Sequence, residues 1–345
     1  MDSKKVSIKD IAREAGVSTA LVSYVMNGNE KEKRVGKEMA AKIREIAKKL
    51  NYQPNQVAKS LRKGRTNTIG LVIADISNPF FANIARVVED EARRNGYTVI
   101  IGSCDERAEK AWDLINVLLN RQVDGFIIVS SEHSEEHITH LRKLNIPFVL
   151  LDRHFPELDT DFVATDNFTA SFDACEHLIE MGYRKIGLIA YRLEMQHMRD
   201  RIRGYQEALK RHKIKARKEW LVEVEFENLT KEVEASIDVF REMKDGPDAL
   251  IFATYGLAIN GLRHFNECNL KVPDDFAIVS FGQAEIFELY YCPITYMLQP
   301  LENLGAKAVE VLLQKINDKK TPLTQILMKA KLIQNESSRS KLAVS

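Results

Sequence analysis

Two short clusters of polar and aromatic residues stand directly behind runs of branched aliphatic residues. Asp75-Ile76-Ser77-Asn78-Pro79-Phe80-Phe81 follows IGLVIA, and Asp152-Arg153 follows PFVLL. A carboxylate and a carboxamide beside two aromatic faces can hold a sugar or base ring, with apolar contact on its faces and hydrogen bonds at its edge. The same stretch also reads as a helix start with core phenylalanines. The guanidinium fork of Arg153 can clamp hydroxyls, carboxylates or phosphates. A different chemistry is suggested at residues 16–28, GVSTALVSYVMNG, where small polar and aromatic side chains lie between two glycines.

That second stretch lies in a strongly basic part of the chain. Residues 1–65 carry 16 Lys and Arg against 7 Asp and Glu, a net +9, which leaves −8 for the remainder of a chain whose total is +1. A basic segment ahead of an acidic body is the electrostatic footprint of a polyanion-binding module, because each neutralised phosphate releases a counterion. A lysine-rich solvated helical face would give the same count.

The elements that position these residues can be read in turn. Ser7-Ile8-Lys9-Asp10 has the form of a capping box, and Ile8, Ile11, Ala12 and Ala15 follow at helical spacing. Gly16 stands where a helix ends with positive φ, and Ser18 can cap a second helix. That helix points Val22, Val25 and Met26 inward. It leaves Ala20, Tyr24 and Asn27 on the opposite side, with Thr19 and Ser23 at the margins. A third helix with Ala40, Ile43, Ala47 and Leu50 as its stripe completes helix-turn-helix geometry. Next, Pro54 breaks the helix, Asn55 can cap a new one, and Gly64 ends it after about two turns, too short to be stable alone. Such a segment could order on binding.

From residue 68 onward short β-rich runs alternate with helical patterns: IGLVIAD, YTVIIGS, DGFIIVSS, PFVLLD, DFVATD, KIGLIAY, DALIFAT and FAIVSFG. This is the rhythm of an α/β fold with parallel sheets, whose ligands bind at the carboxyl ends of the strands. The strands outnumber one compact sheet, so two lobes with a cleft are expected. The predicted fold class is therefore α/β, with an N-terminal all-α helix-turn-helix domain. Scattered Cys104, Cys175, Cys268 and Cys292 suit reduced packing thiols. No apolar run approaches the roughly 18 residues of a membrane span, and no leader follows the first lysines, so a cytoplasmic protein is expected. His133, His137 and His140 at i, i+4 and i+7 could face a metal, although neighbouring glutamates favour a solvated helix. There is no G-x-G-x-x-G, P-loop or nucleophile elbow, and no acid/base pair; neither enzyme activity nor a cofactor is expected.

SIKDIAREAGVSTALVSYVMNG followed by LNYQPNQVAKSLRKGRTNTIGLVIADISNPFF resembles the N-terminal half of the LacI/GalR family of bacterial transcription regulators, and the likeness continues more weakly almost to the C-terminus. The resemblance implies a helix-turn-helix domain over residues 1–53 and a hinge over 54–65. It also implies a periplasmic-binding-protein-like body whose chain crosses between lobes three times, with residues 66–163 and 297–325 in one lobe and 164–296 and 326–340 in the other. By the same likeness Ser18, Thr19, Ala20, Ser23, Tyr24 and Asn27 would face bases or nearby phosphates. Tyr52, Asn55, Ala58, Lys59, Leu61 and Arg62 would serve the hinge, with Leu61 wedging a central base step from the minor groove.

Arg201, three residues before Gly204, matches the family's effector-binding arginine. Thr254-Tyr255 and Gly282-Gln283 stand where relatives commonly carry Asn-Asp and an aspartate. Asp accepts paired bonds from vicinal hydroxyls, so their loss favours an acidic, phosphorylated or larger carbohydrate derivative over a neutral monosaccharide; loss of effector binding is equally consistent. Three further departures are Tyr24 in place of a common arginine, a short insertion around residues 29–33, and Gly36 in place of a capping Ser or Thr. The implied partners are operator DNA, a small-molecule effector bound by the cleft residues above together with Gln283, and a second copy of the chain. The C-terminus lacks leucine heptads, so a homodimer rather than a tetramer is expected. A cytoplasmic solute sensor with appended helices, and a carbohydrate enzyme, are the competing readings.

Overall fold

The computed structural model describes residues 6–52 and 64–341. It divides into two compact units, Met1–Thr66 and Asn67–Ser345. In the first, α1 (Ile8–Ala15), α2 (Thr19–Met26) and α3 (Lys37–Lys49) close on a core centred on Ile11, Val22 and Ile43. The Ser7 backbone N–H donates to the Asp10 carboxylate at 3.0 Å, and the Ser7 hydroxyl donates to it at 2.7 Å. Gly16 ends α1 at φ 69°, its N–H reaching the carbonyls of Ala12 and Arg13. That left-handed turn is open to glycine at no steric cost and lets α2 begin three residues later, at Thr19. The Ser18 hydroxyl then accepts the Leu21 N–H at 3.2 Å. Residues 30–34 form turns closed by Val35 N–H on the Glu30 carbonyl at 2.8 Å, with Glu30 paired to Arg44 of α3. Gly36 opens α3 without a side-chain cap.

The second unit has two six-stranded sheets. The first contains β1 (Thr68–Ile73), β2 (Thr98–Ser103), β3 (Gly125–Ile128), β4 (Phe148–Leu151), β5 (Phe162–Thr165) and β11 (Gln325–Met328), all parallel, in the order β11-β5-β4-β3-β1-β2. Alternate side chains divide between its faces. Leu71 and Ile73 pack under α4 (Pro79–Arg94) and α12 (Leu301–Asn317), while Val72 packs under α5 (Ala108–Asn120) and α6 (Glu135–Lys143). The second sheet contains β6 (Ile186–Tyr191), β7 (Leu221–Val224), β8 (Ala249–Phe252), β9 (Ala277–Phe281), β10 (Thr295–Leu298) and β12 (Lys331–Ile333), in the order β12-β10-β9-β8-β6-β7. Only β12 runs antiparallel to its neighbour. Around this sheet lie α7 (Asn167–Glu180), α8 (Gln196–Arg211), α9 (Leu229–Glu242), α10 (Tyr255–Glu267) and short α11 (Glu285–Leu289).

The chain passes between the sheets after β5, after β10 and after β11. These positions correct the expected lobe limits. Residues 326–328 belong to the first sheet, because β11 pairs with β5 from Gln325↔Phe162 to Met328↔Thr165. Residues 164–165 stay with it for the same reason, and residues 297–298 stay in the second sheet, where Met297 pairs with Phe281.

Helices α7 and α8 approach so closely at Gly204 that a Cβ there would lie 2.2 Å from the Phe168 carbonyl oxygen. Backbone cannot yield as a side-chain tip can. Gly204→Ala is expected to cost about 3 kcal/mol of stability, read as a lower urea midpoint at unchanged slope.

Candidate functional site

On α2, Val22 and Val25 are buried, Met26 is half-buried against the core, and Ser18, Thr19, Ala20 and Asn27 are exposed, with Ser23 and Tyr24 half-buried. The Asn27 carboxamide turns back onto its own helix, donating to the Ser23 carbonyl at 2.6 Å. Tyr52 packs against the three-helix core, and burial raises its phenol pKa. Asn55, Ala58, Lys59, Leu61 and Arg62 lie outside the described residues.

In the second unit the carboxyl ends of both sheets face a cleft of about 730 Å³. Asn78, Phe80, Phe81, Asp152, Arg153, Arg201, Thr254, Tyr255 and Gln283 all line it. Asp75 does not, which corrects its expected place: its carboxylate accepts the Ser77 N–H at 2.8 Å and the Ser77 hydroxyl at 2.7 Å, closing a local turn after β1. The Asn78 side chain caps α4 by accepting the Phe80 N–H at 3.0 Å. Phe80 and Phe81 meet edge to face at 5.0 Å; Phe81 is buried while Phe80 remains half-buried at the cleft.

Two buried arginines organise the polar part. Arg153 makes a fork-to-fork pair with Glu106, at 2.5 and 2.7 Å, and lies over the Phe81 ring at 5.3 Å. Burial works against its charge, but the Glu106 carboxylate and Asp152 outweigh that, and its pKa rises. Arg201 donates through Nε to the Asn167 carboxamide oxygen at 2.8 Å and through a terminal nitrogen to the Ala253 carbonyl at 2.5 Å, and stacks 4.3 Å from the centre of Phe281. Burial lowers its pKa to about 10, so it stays charged at neutral pH. Asp152, at φ 66° and buried, has its carboxyl pKa raised by burial against the pull of Arg153 and Arg201. Among the described residues, Asp152 Oδ1, Arg153 Nε and His197 Nδ1 are buried without a protein partner. Buried polar atoms of that kind are suited to a ligand's hydroxyls or acidic groups.

Several cleft residues were not singled out from sequence. Glu106 holds Arg153, and Phe281 and Tyr191 close strands β9 and β6, where the strand-end rule itself would have placed them. Gln299 donates to the Thr165 hydroxyl at 3.1 Å, joining two of the segments that pass between the lobes. Glu132 of the first lobe accepts the Glu194 N–H of the second at 2.6 Å. Thr254 caps α10 by accepting the Leu257 N–H at 3.4 Å, and Gln283 is exposed beside Gly282 at φ 81°. His137 and His140 pack face-on and edge-on against Trp112, at 4.9 and 5.1 Å, rather than around a shared point.

His197 is held well below the ordinary histidine range by burial and by the nearby Arg153 and Arg201, and so is neutral when folded. The unfolded chain gains a proton there near pH 6.5 that the folded chain refuses. The body's stability is therefore expected to fall as pH drops below about 6.5, and His197→Gln should flatten that slope in urea titrations between about pH 7 and 5.

Comparison with known proteins adds a second line of observation. The family described as bacterial regulatory proteins, lacI family, matches residues 7–55, and a periplasmic binding protein-like domain matches residues 175–338. Catabolite control protein A of Priestia megaterium is 33% identical over 314 residues, covering 90% of this chain and 93% of its own. The ribose operon repressor of Haemophilus influenzae is 30% identical over 331 residues, covering 96% and 98%. Among solved structures, the Lac repressor dimer bound to operator and an anti-inducer aligns with TM-score 0.85 at 22% identity, over 97% of this chain and all (100%) of its own, a likeness of fold.

Proposed function

We propose that this chain, which belongs to the lacI family of bacterial regulatory proteins, is a sequence-specific DNA-binding transcriptional repressor controlled by a small molecule held in its cleft. The observation that carries the reading is the division of α2: its aliphatic side buries Val22 and Val25, while Ser18, Thr19, Ala20 and Asn27 are exposed along a helix of the kind a major groove admits. The +9 charge of residues 1–65 supplies the phosphate attraction. Tyr24 offers one hydroxyl bond and ring contact where an arginine would read guanine, so the operator differs from that of relatives with the arginine. Two copies of the chain bind a site of two-fold symmetry, and Tyr52, Asn55, Ala58, Lys59, Leu61 and Arg62 serve its centre.

The effector is a carbohydrate or derivative carrying an acidic group. Arg201 is charged, buried and stacked on the aromatic Phe281, and it lines the cleft together with Arg153. Asn78, Phe80, Phe81, Asp152, Arg153, Thr254, Tyr255 and Gln283 complete the pocket. Closure on the ligand shifts the DNA-competent population by the ligand's differential affinity for the two states. No described helix is long and apolar enough to cross a membrane. A location in the cytoplasm follows only from the DNA-binding role.

Selection of genomic fragments on the immobilised full chain, followed by sequencing, tests this reading. Enrichment of one two-fold symmetric sequence is expected. Uniform recovery of fragments would show instead a sensor without sequence-specific DNA binding.

A further inference from the structure

Away from the cleft, one turn of α9 faces one turn of α10 with side chains that ligate metals. His264 lies in the last turn of α10 and Cys268, four residues on, is the cap at its C-terminus, while His264 Nε2 lies 2.9 Å from Asp238 Oδ1 of α9. The Cys268 sulfur is 3.6 Å from the same nitrogen and 3.9 Å from Nδ1. One ligand atom from each of Asp238, His264 and Cys268 falls within 4.8 Å of the others, and Glu234, His264 and Glu267 form a second such group about the same imidazole. His264 is 8% exposed, so its ring is fixed by packing, while Asp238 and Cys268 are half-buried and open to an entering ion.

The distances can be compared with what an ion requires. With zinc–nitrogen and zinc–oxygen bonds of about 2.0–2.1 Å and a zinc–sulfur bond of about 2.3 Å, a tetrahedron has nitrogen–sulfur edges of about 3.6 Å and nitrogen–oxygen edges of about 3.3 Å. The sulfur is near that edge length from Nε2, but it is almost as near to Nδ1 and so lies over the ring face, and the Cys268 side chain must rotate toward the Nε2 lone pair to share an ion. The carboxylate stands slightly inside its own, at hydrogen-bond distance, and must retreat a few tenths of an ångström when the shared proton gives way to an ion. Thiolate, imidazole and carboxylate together suit zinc rather than magnesium or calcium, which take oxygen ligands.

We propose that Asp238, His264 and Cys268, completed by water, form a zinc-type divalent cation site that clips α9 to α10. Binding displaces the thiol proton and the Nε2–carboxylate proton to solvent. The site is independent of the DNA and effector readings.

The test is titration of the metal-stripped full chain with zinc ion against a chromophoric chelator, and with cobalt(II) as a spectroscopic probe. One ion per chain and a thiolate-to-cobalt charge-transfer band are expected; Cys268 is the one cysteine of the four that is not buried, so the band reports this site. Cys268→Ser should abolish the band, and both it and Asp238→Asn should weaken zinc binding by about tenfold or more. Both positions are half-buried, and unchanged far-UV circular dichroism would establish that each variant is folded. Absence of the cobalt band in the parent chain, or equal zinc affinity in the parent and both variants, overturns the proposal.

Discussion

Arg201→Ala is expected to abolish the response of operator binding to the effector while leaving operator affinity without effector within about threefold of the parent, and to destabilise the body by about 2–4 kcal/mol. The two effects share one cause. Arg201 is 5% exposed and occupies the Asn167 carboxamide, the Ala253 carbonyl and the face of Phe281. Its removal leaves two buried acceptors without donors and takes from Asp152 one of the two cations that favour its charge. Truncating one partner of a buried network costs more than the bond itself, because the group left behind stays desolvated. Arg201→Lys separates the roles. An ammonium restores the positive charge but cannot serve both acceptors and stack on Phe281 as a planar fork does, so it should recover part of the stability and little of the response. The measurements are urea unfolding and fluorescence anisotropy of an operator duplex titrated with sugar phosphates and sugar acids.

Ile43→Ala should have a comparably large effect, by a different route. Ile43 is fully buried at the centre of a three-helix core built mainly of alanines and valines. Deleting its three outer carbons is expected to cost about 2–5 kcal/mol, and a unit this small has little stability in reserve. The folded fraction of the first unit then falls, and apparent DNA affinity falls by that fraction on every sequence alike. Tyr24→Ala differs from it in kind. Tyr24 is half-buried on the outer side of α2, so its loss should leave the helices folded, weaken the selected site by about tenfold and leave random duplex almost untouched. Thermal melts of the first unit's helical signal beside binding curves on both duplexes distinguish the two.

The parts of this protein legible in its sequence are those set by local chemistry. Ser7, Gly16 and Ser18 mark the ends of α1 and α2 because caps and left-handed turns depend on residues a few positions apart. Strands β1, β3, β4, β6, β8 and β9 are continuous aliphatic runs because both faces are covered. Four strands were not foreseen, and three of them lie at sheet edges: β7, β11 and β12. Their residues are largely half-exposed, and QILM or KLI carries no signal that separates a strand from a loop. β10 is interior, but its four residues, Thr295 to Leu298, are too few to separate strand from helix. That gap also misplaced the lobe limits, since β11 alone decides where residues 326–328 belong.

The cleft was partly legible for the same reason. Polar residues just beyond aliphatic strands identify Asp152 and Arg153, yet the rule that finds them also takes in Asp75, which serves its own turn. The partners that decide each group's charge were not legible. Glu106 meets Arg153 across 47 residues of chain, and Gln299 meets Thr165 across 134, pairings that only the packed sheets create.

The central claim is that the exposed side of α2 reads a particular DNA sequence. The most direct measurement is the equilibrium affinity of the full chain for its selected duplex and for a scrambled duplex of equal length, each across a range of salt concentrations. The account predicts binding to the selected duplex at least about a thousandfold tighter, with both affinities falling steeply as salt rises. Equal affinity for the two duplexes at every salt concentration would contradict it.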